Sequence, residues 1–234
     1  MNIFWAGDST VQTNNILTYP QTGIGQVFFQ YLRDGVTVVN FAKNGRSTKS
    51  FIDEGRLEKI DKAIKPGDFL FIQFGHNDEK EEDPKRYTEP FSSYINNLVI
   101  FIETAKKHNA TPVLITPLER RCFVDERHLG MGAHSDYVAA MKQTAKKHKT
   151  ALVDLYSLSR AELKKAGFAG SKTWYMQLKS GEFPMYPMGK EDNTHLRYEG
   201  AIKFAGLIAY GLWDLGGDYR KLLLEDLSFS NGVL

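Results

Sequence analysis

The chain has 234 residues, 42% hydrophobic and 25% charged, with 30 Lys and Arg against 28 Asp and Glu. That is the composition of a globular protein with a sizeable core, and the near balance of charge gives no general electrostatic case for nucleic acid or a membrane surface. One cysteine, Cys122, excludes an intramolecular disulfide and a cysteine zinc cluster.

In chain order, "NIFWA" (2–6), "VTVVNF" (36–41), "FLFIQF" (69–74), "TPVLIT" (111–116) and "TALVDL" (150–155) are short apolar runs. They are too continuous to have one face in water, which predicts strands of a parallel sheet covered on both sides. Between them, "GQVFFQYLRD" (25–34), "EGRLEKIDKAIK" (54–65), "FSSYINNLVIFIETAKKH" (91–108) and "SDYVAAMKQTAKKH" (135–148) carry apolar residues at helical spacing. A helix near 155–166, an irregular stretch near 169–194 and a last helix, "YEGAIKFAGLIAYGLWDL" (198–215), complete the pattern. This β-α-β-α order argues for one α/β domain over residues 1–234, with a central, mainly parallel five-stranded sheet and right-handed crossovers. "DLSFSNGVL" (226–234), apolar and polar by turns, suits a segment that covers a neighbour or nothing.

Other features read plainly. "KEEDPKR" (80–86) and "KKHK" (146–149) mix signs or sit on helices, and read as solvated faces. Cys122, in "ERRCF" with no local His, reads as a small buried apolar side chain. No apolar run approaches the ~18 residues of a membrane span, and no basic-then-apolar leader precedes the first strand. The expectation is a soluble, cytoplasmic protein.

In open parallel sheets, ligands bind outside the carboxyl ends of the strands. Strand one delivers Gly7-Asp8-Ser9-Thr10, strand two "AKNGRSTKS" (42–50), strand three "GHNDE" (75–79) and strand four "PLERRCF" (117–123). A serine hydroxyl needs a base within hydrogen-bond reach and a third group to orient that base. Among six histidines, His195 stands three residues after Asp192 in "KEDNTHLRYEG". In a tight turn leading into the last helix, Asp192 would accept from one ring nitrogen and leave the other for the serine. Read alone, Asp-x-x-His suits a helix cap beside a surface histidine better.

The chemistry also needs donors where negative charge develops on a carbonyl oxygen. The Ser9 N–H, the Gly45 N–H and the Asn77 side-chain amide are candidates, each weak alone because loop Gly and Asn are common turn residues.

Gly7-Asp8-Ser9, a loop glycine after strand two, Gly75-x-Asn77-Asp78 and Asp192-x-x-His195 resemble, in order, the four blocks of the SGNH hydrolases, or GDSL esterase/lipase superfamily. The wording "GDSTVQ", "NFAKNGRSTKSF", "IQFGHNDEK", "TPLERR" and "DNTHL" is similar to the rhamnogalacturonan acetylesterases, carbohydrate esterase family twelve. That resemblance implies a three-layer, flavodoxin-like α/β/α sandwich. It implies hydrolysis of acetyl esters on pectin-derived oligosaccharides through an acyl-serine, with no metal or cofactor. It makes Ser9 the nucleophile, His195 the base, Asp192 its orienter, and Ser9, Gly45 and Asn77 the oxyanion donors. Without a leader or disulfide, the chain looks like an intracellular member acting on imported oligosaccharides.

His76, beside Asn77, is a substrate contact or is packed under its loop. Arg46, Arg120 and Arg121 are candidates for a substrate carboxylate, which the planar guanidinium fork suits; the alternative is pairing with acids such as Glu119 and Glu126. Trp174, Tyr175, Met185 and Tyr186 fit a filling beneath the 169–194 stretch better than a sugar platform. A broader esterase or lipase of the same superfamily stands as the alternative, and a metal-dependent phosphoesterase more weakly, since the first strand supplies only Asp8 and no Asp-x-His.

Overall fold

The computed structural model describes residues 1–227; residues 228–234, most of "DLSFSNGVL", lie outside the described residues. Five strands, β1 (Asn2–Gly7), β2 (Thr37–Asn40), β3 (Phe69–Gln73), β4 (Thr111–Ile115) and β5 (Ala151–Val153), pair in parallel in the order β2-β1-β3-β4-β5. Every strand predicted from an apolar run is present. The runs are continuous because successive side chains enter opposite faces and both faces are covered.

On one face Ile3, Trp5, Phe71 and Ile115 pack with residues of α1 (Ile24–Val27), α6 (Leu155–Gly170) and α7 (Tyr198–Leu215). On the other, Phe4, Ala6, Leu70, Ile72 and Leu114 pack with α2 (Thr48–Asp53), α3 (Arg56–Ala63), α4 (Ile95–Lys106) and α5 (Ser135–His148). Trp5 meets the rings of Phe28 and Phe71 edge-on at 5.1 and 5.2 Å. Burying an apolar side chain of this kind stabilises the fold by about 1.5–3 kcal/mol, so the β1 centre that carries the serine loop is firmly anchored. The expected α/β/α layering is the architecture observed.

Three segments depart from expectation. The run 25–34 is a short α1 followed by a 3-10 turn, Phe28–Tyr31. Its start is tied to the loop after β1, with Ile24 N–H donating to Thr10 O and Gly25 N–H to Val11 O. A side chain at Gly25 would stand 2.8 Å from Val11 O, so this contact requires glycine. The helix predicted over 54–65 begins only after Gly55, which at φ +68 separates α3 from α2.

The third departure bears on function. The stretch read as irregular contains an antiparallel hairpin, β6 (Tyr175–Leu178) and β7 (Lys190–Leu196). Trp174 and Tyr175 pack against Phe204 of α7 and dock the hairpin on the sandwich. Cys122, expected to be buried, is exposed. Among the described residues, no helix is long and apolar enough to cross a membrane.

Candidate active site

The parallel order places the loops after β1, β2, β3 and β4 along one edge of the sheet. Ser9 sits in the turn leaving β1, where the Val11 and Gln12 N–H groups donate to Asp8 O at 3.2 and 3.1 Å. The buried Asp8 carboxylate clamps that turn, accepting from Thr10 N–H at 2.9 Å and from Thr10 Oγ1 at 2.8 Å. Burial pushes its pKa up, but His76, with Nδ1 3.3 Å from Oδ2, and the Thr10 bonds outweigh that and hold it below the usual range. Asp8 therefore supports the serine loop as a fixed anion.

From the far end of the chain comes β7. Its pairing runs Leu178 to Lys190, Gln177 to Glu191 and Met176 to Asp192, then jumps to Tyr175 with Leu196. Residues 193–195 are thus extruded from the ladder, as a bulge re-aims side chains. Within it Asp192 Oδ1 accepts the Thr194 and His195 N–H groups, each at 2.9 Å, while Oδ2 lies 2.7 Å from His195 Nδ1. His195 Nε2 lies 2.9 Å from Ser9 Oγ. The expected turn before a helix is in fact this strand bulge. Burial raises the Asp192 carboxyl, but the bond and charge of His195 and the two backbone donors hold it well below the usual carboxylate range.

The loops after β2 and β3 interlock. Gly45 adopts φ +76, and Asn77 Nδ2 donates to Arg46 O at 3.1 Å. The buried Asp78 carboxyl accepts from the Thr48 N–H at the start of α2 and from Thr88 Oγ1, both at 3.0 Å. Burial pushes its pKa up to about 7 against the pull of those donors. Asp78 thereby fixes the Gly45 loop against the Asn77 loop. Among the described residues, no acceptor engages the Ser9 or Gly45 backbone N–H.

These groups line one cleft of about 440 Å³: Ser9, Asp192, His195, Gly45 and Asn77 meet there. His76 and Arg120 line it too. His76 is buried, its Nδ1 facing Asp8 Oδ2 at 3.3 Å and its ring centroid 4.3 Å from that of His134. His134, driven down to about 4 chiefly by burial, sits with Nδ1 2.5 Å from Glu79, which in turn pairs with Arg120 at 2.8 Å. The Arg120 guanidinium thus pairs with Glu79, while the Arg120 backbone N–H donates to Glu119 Oε1 at 2.9 Å.

Two arginines singled out from sequence are directed elsewhere. Arg46 binds Glu54 at 2.9 Å and Asn44 O at 2.8 Å. Arg121 is buried, donating to Ser171 Oγ at 3.1 Å, to Asn193 Oδ1 at 3.2 Å and to Phe168 O. It pins the bulge of β7 to the end of α6.

Conversely, Lys80 and Arg86 line the cleft, although "KEEDPKR" reads as a solvated face. The available signal was its position directly behind "GHNDE". Among the described residues, no group of three or more His, Cys, Asp or Glu side chains is arranged to hold a metal ion.

A hydroxyl bonded to one imidazole nitrogen, with the other held by a carboxylate, is an arrangement that activates serine for acyl transfer. The comparisons agree with such chemistry. The sequence pattern of the GDSL-like lipase/acylhydrolase family matches residues 3–208. Rhamnogalacturonan acetylesterase RhgT of Bacillus subtilis (strain 168) is 41% identical over 216 residues, 92% of this chain and 91% of that protein. The probable rhamnogalacturonan acetylesterase YesY of the same organism is 40% identical over 225 residues, 96% and 98% of the two chains. The crystal structure of YxiM from Bacillus subtilis superposes with a TM-score of 0.78 at 28% identity, over 92% of this chain and 56% of that one. An acetylxylan esterase from Geobacillus stearothermophilus, at 18% identity and TM-score 0.59 over 86% of this chain and 89% of that one, shares the fold. With the family's sequence pattern matched over residues 3–208 and two relatives at 40% and 41% identity over most of the chain, the chain belongs to the GDSL-like lipase/acylhydrolase family.

Proposed function

We propose that the protein is a serine esterase removing acetyl groups from acetylated rhamnogalacturonan oligosaccharides. The observation that carries this reading is the relay from Ser9 Oγ through the His195 ring to Asp192, with contacts of 2.9 and 2.7 Å. In the reaction, Ser9 Oγ attacks the acetyl carbonyl carbon as its proton passes to His195 Nε2. The resulting oxyanion takes hydrogen bonds from the Ser9 and Gly45 N–H groups and the Asn77 amide. The intermediate collapses, and the departing sugar oxygen takes the proton from His195. Water, deprotonated by the same ring, then cleaves the acetyl-serine, releasing acetate and regenerating Ser9. Asp192 holds the ring in one tautomer and stabilises the imidazolium.

The saccharide is supported by the two relatives over 90% of the chain and by the cleft itself. Lys80, Arg86 and Arg120 line it, Arg86 paired with Asp83 and Arg120 with Glu79, while the one carboxylate in the lining, Asp192, is engaged by His195. These side chains suit an acidic sugar, since guanidinium and ammonium groups recognise carboxylates.

Acetate release from acetylated rhamnogalacturonan oligomers, set beside acetylated xylan and a long-chain acyl ester, tests the reading. The expected result is the largest kcat/KM on the acidic oligomers. A preference for the long-chain ester would replace this reading with a lipase-type one.

A further inference from the structure

We infer that Arg86 is a positioning residue for the oxyanion donors: its guanidinium holds the Asn77 amide in the one orientation that offers an N–H to the cleft. The inference rests on the reading of Asn77 as an oxyanion donor. An Asn amide has one acceptor and two donors, and the side chain is useful here only if its nitrogen faces the reacting oxygen.

The surroundings of Asn77 allow a single choice. Its Nδ2 donates to Arg46 O at 3.1 Å, while Arg86 Nη1 donates to its Oδ1 at 3.4 Å. A flipped amide would set oxygen against the Arg46 carbonyl and NH₂ against the guanidinium, losing both bonds. Since Asn77 is buried, losing both bonds is costly. In the observed orientation one amide hydrogen is used by Arg46 O and the second is left for the cleft that Asn77 lines.

Arg86 is itself fixed. Its Nε binds Asp83 Oδ2 at 2.6 Å, and its N–H binds Asp83 O at 2.9 Å. The same guanidinium borders the second loop donor: a Cβ built on Gly45 would stand 3.7 Å from Arg86 Nη1. One cation therefore flanks both Gly45 and Asn77, where the oxyanion's charge would develop, and adds to its stabilisation.

The test is steady-state kinetics of Arg86→Ala and Arg86→Lys, in the parent and in Asn77→Ala, on 4-nitrophenyl acetate and on acetylated rhamnogalacturonan oligomers. Arg86→Ala should lower kcat roughly tenfold on both substrates, with KM for the neutral ester moved by less than about twofold. Arg86→Lys, which keeps charge and a donor, should recover part of that loss. In the Asn77→Ala background, adding Arg86→Ala should cost much less than it does in the parent.

An effect confined to KM on the acidic oligomer would make Arg86 a substrate contact and overturn the inference. An undiminished cost in the Asn77→Ala background would overturn it equally. If Asn77→Ala alone leaves the rate unchanged, the oxyanion assignment fails and the inference falls with it. If Asn77→Ala is slow and Arg86→Ala is not, the inference alone fails.

Discussion

Ser9 Oγ and His195 Nε2 lie 2.9 Å apart, although 186 residues separate them in the chain. Ser9 is carried by the buried strand β1 and His195 by the bulge of β7. The chain just before α1, which bonds the serine loop through Ile24 N–H to Thr10 O, is also tied to β7, where Thr22 N–H donates to Leu196 O at 2.9 Å.

If Ser9 is the nucleophile, Ser9→Ala should lower kcat by roughly 10⁴–10⁶, the range for loss of such a group, while the urea midpoint stays near the parent's. An organophosphate should label Ser9 alone, as read by peptide mass. A rate loss below about tenfold would point to a different nucleophile.

Asn77→Ala should cost about 10²–10³ in kcat, the typical effect of removing one oxyanion donor. Because Asn77 also donates to Arg46 O, a thermal melt must accompany the kinetics. An unchanged rate would return Asn77 to a purely structural role.

Asp192 has a native carboxyl pKa well below the usual range, so it stays ionised wherever the enzyme works. For stability the sign follows from linkage. The unfolded chain binds this proton more readily, so ionised Asp192 contributes stability above the ordinary aspartate range, ~3.9, and that contribution fades as pH falls toward the native value. The stability gap between the parent and Asp192→Asn should therefore narrow between pH 7 and pH 3 in urea titrations. A gap independent of pH would contradict the assignment. Activity of Asp192→Asn should be low at every pH, because the ring loses its anionic partner.

Arg121 tests the distinction between holding substrate and holding the fold. Its bonds to Ser171, Asn193 and Phe168, and its guanidinium 4.4 Å from the Phe168 ring centroid, join α6 to the bulge bearing His195. Arg121→Ala should destabilise the protein by about 2 kcal/mol or more, the scale of a lost hydrogen bond to a buried charged group. Its activity should fall alike on a neutral ester and on acidic oligomers. A defect seen only with acidic substrate, at unchanged stability, would make Arg121 a binding residue.

The sheet was readable because burial on both faces forces near-continuous apolar strands, and because a strand's carboxyl end is a local fact. Ser9, Gly45 and Asn77 could be marked that way. Asp192 and His195 could be marked by spacing, but not their setting. "KEDNTHL" alternates no apolar face, since β7 is half-buried over most of its length, fully buries only Leu196, and pairs with β6 alone. Lys80 and Arg86 were unreadable for a related reason: a mixed-charge run looks the same whether it faces water or a cleft.

By itself the sequence determined the five strands, their covering helices and the polar residues leaving each strand, all set by short-range hydrophobic pattern and turn chemistry. Only the tertiary structure decided that residues 193–195 leave the ladder, that Arg121 turns inward and that Arg86 reaches Asn77. Those outcomes depend on register and on partners far away in the chain, which no local window of sequence contains.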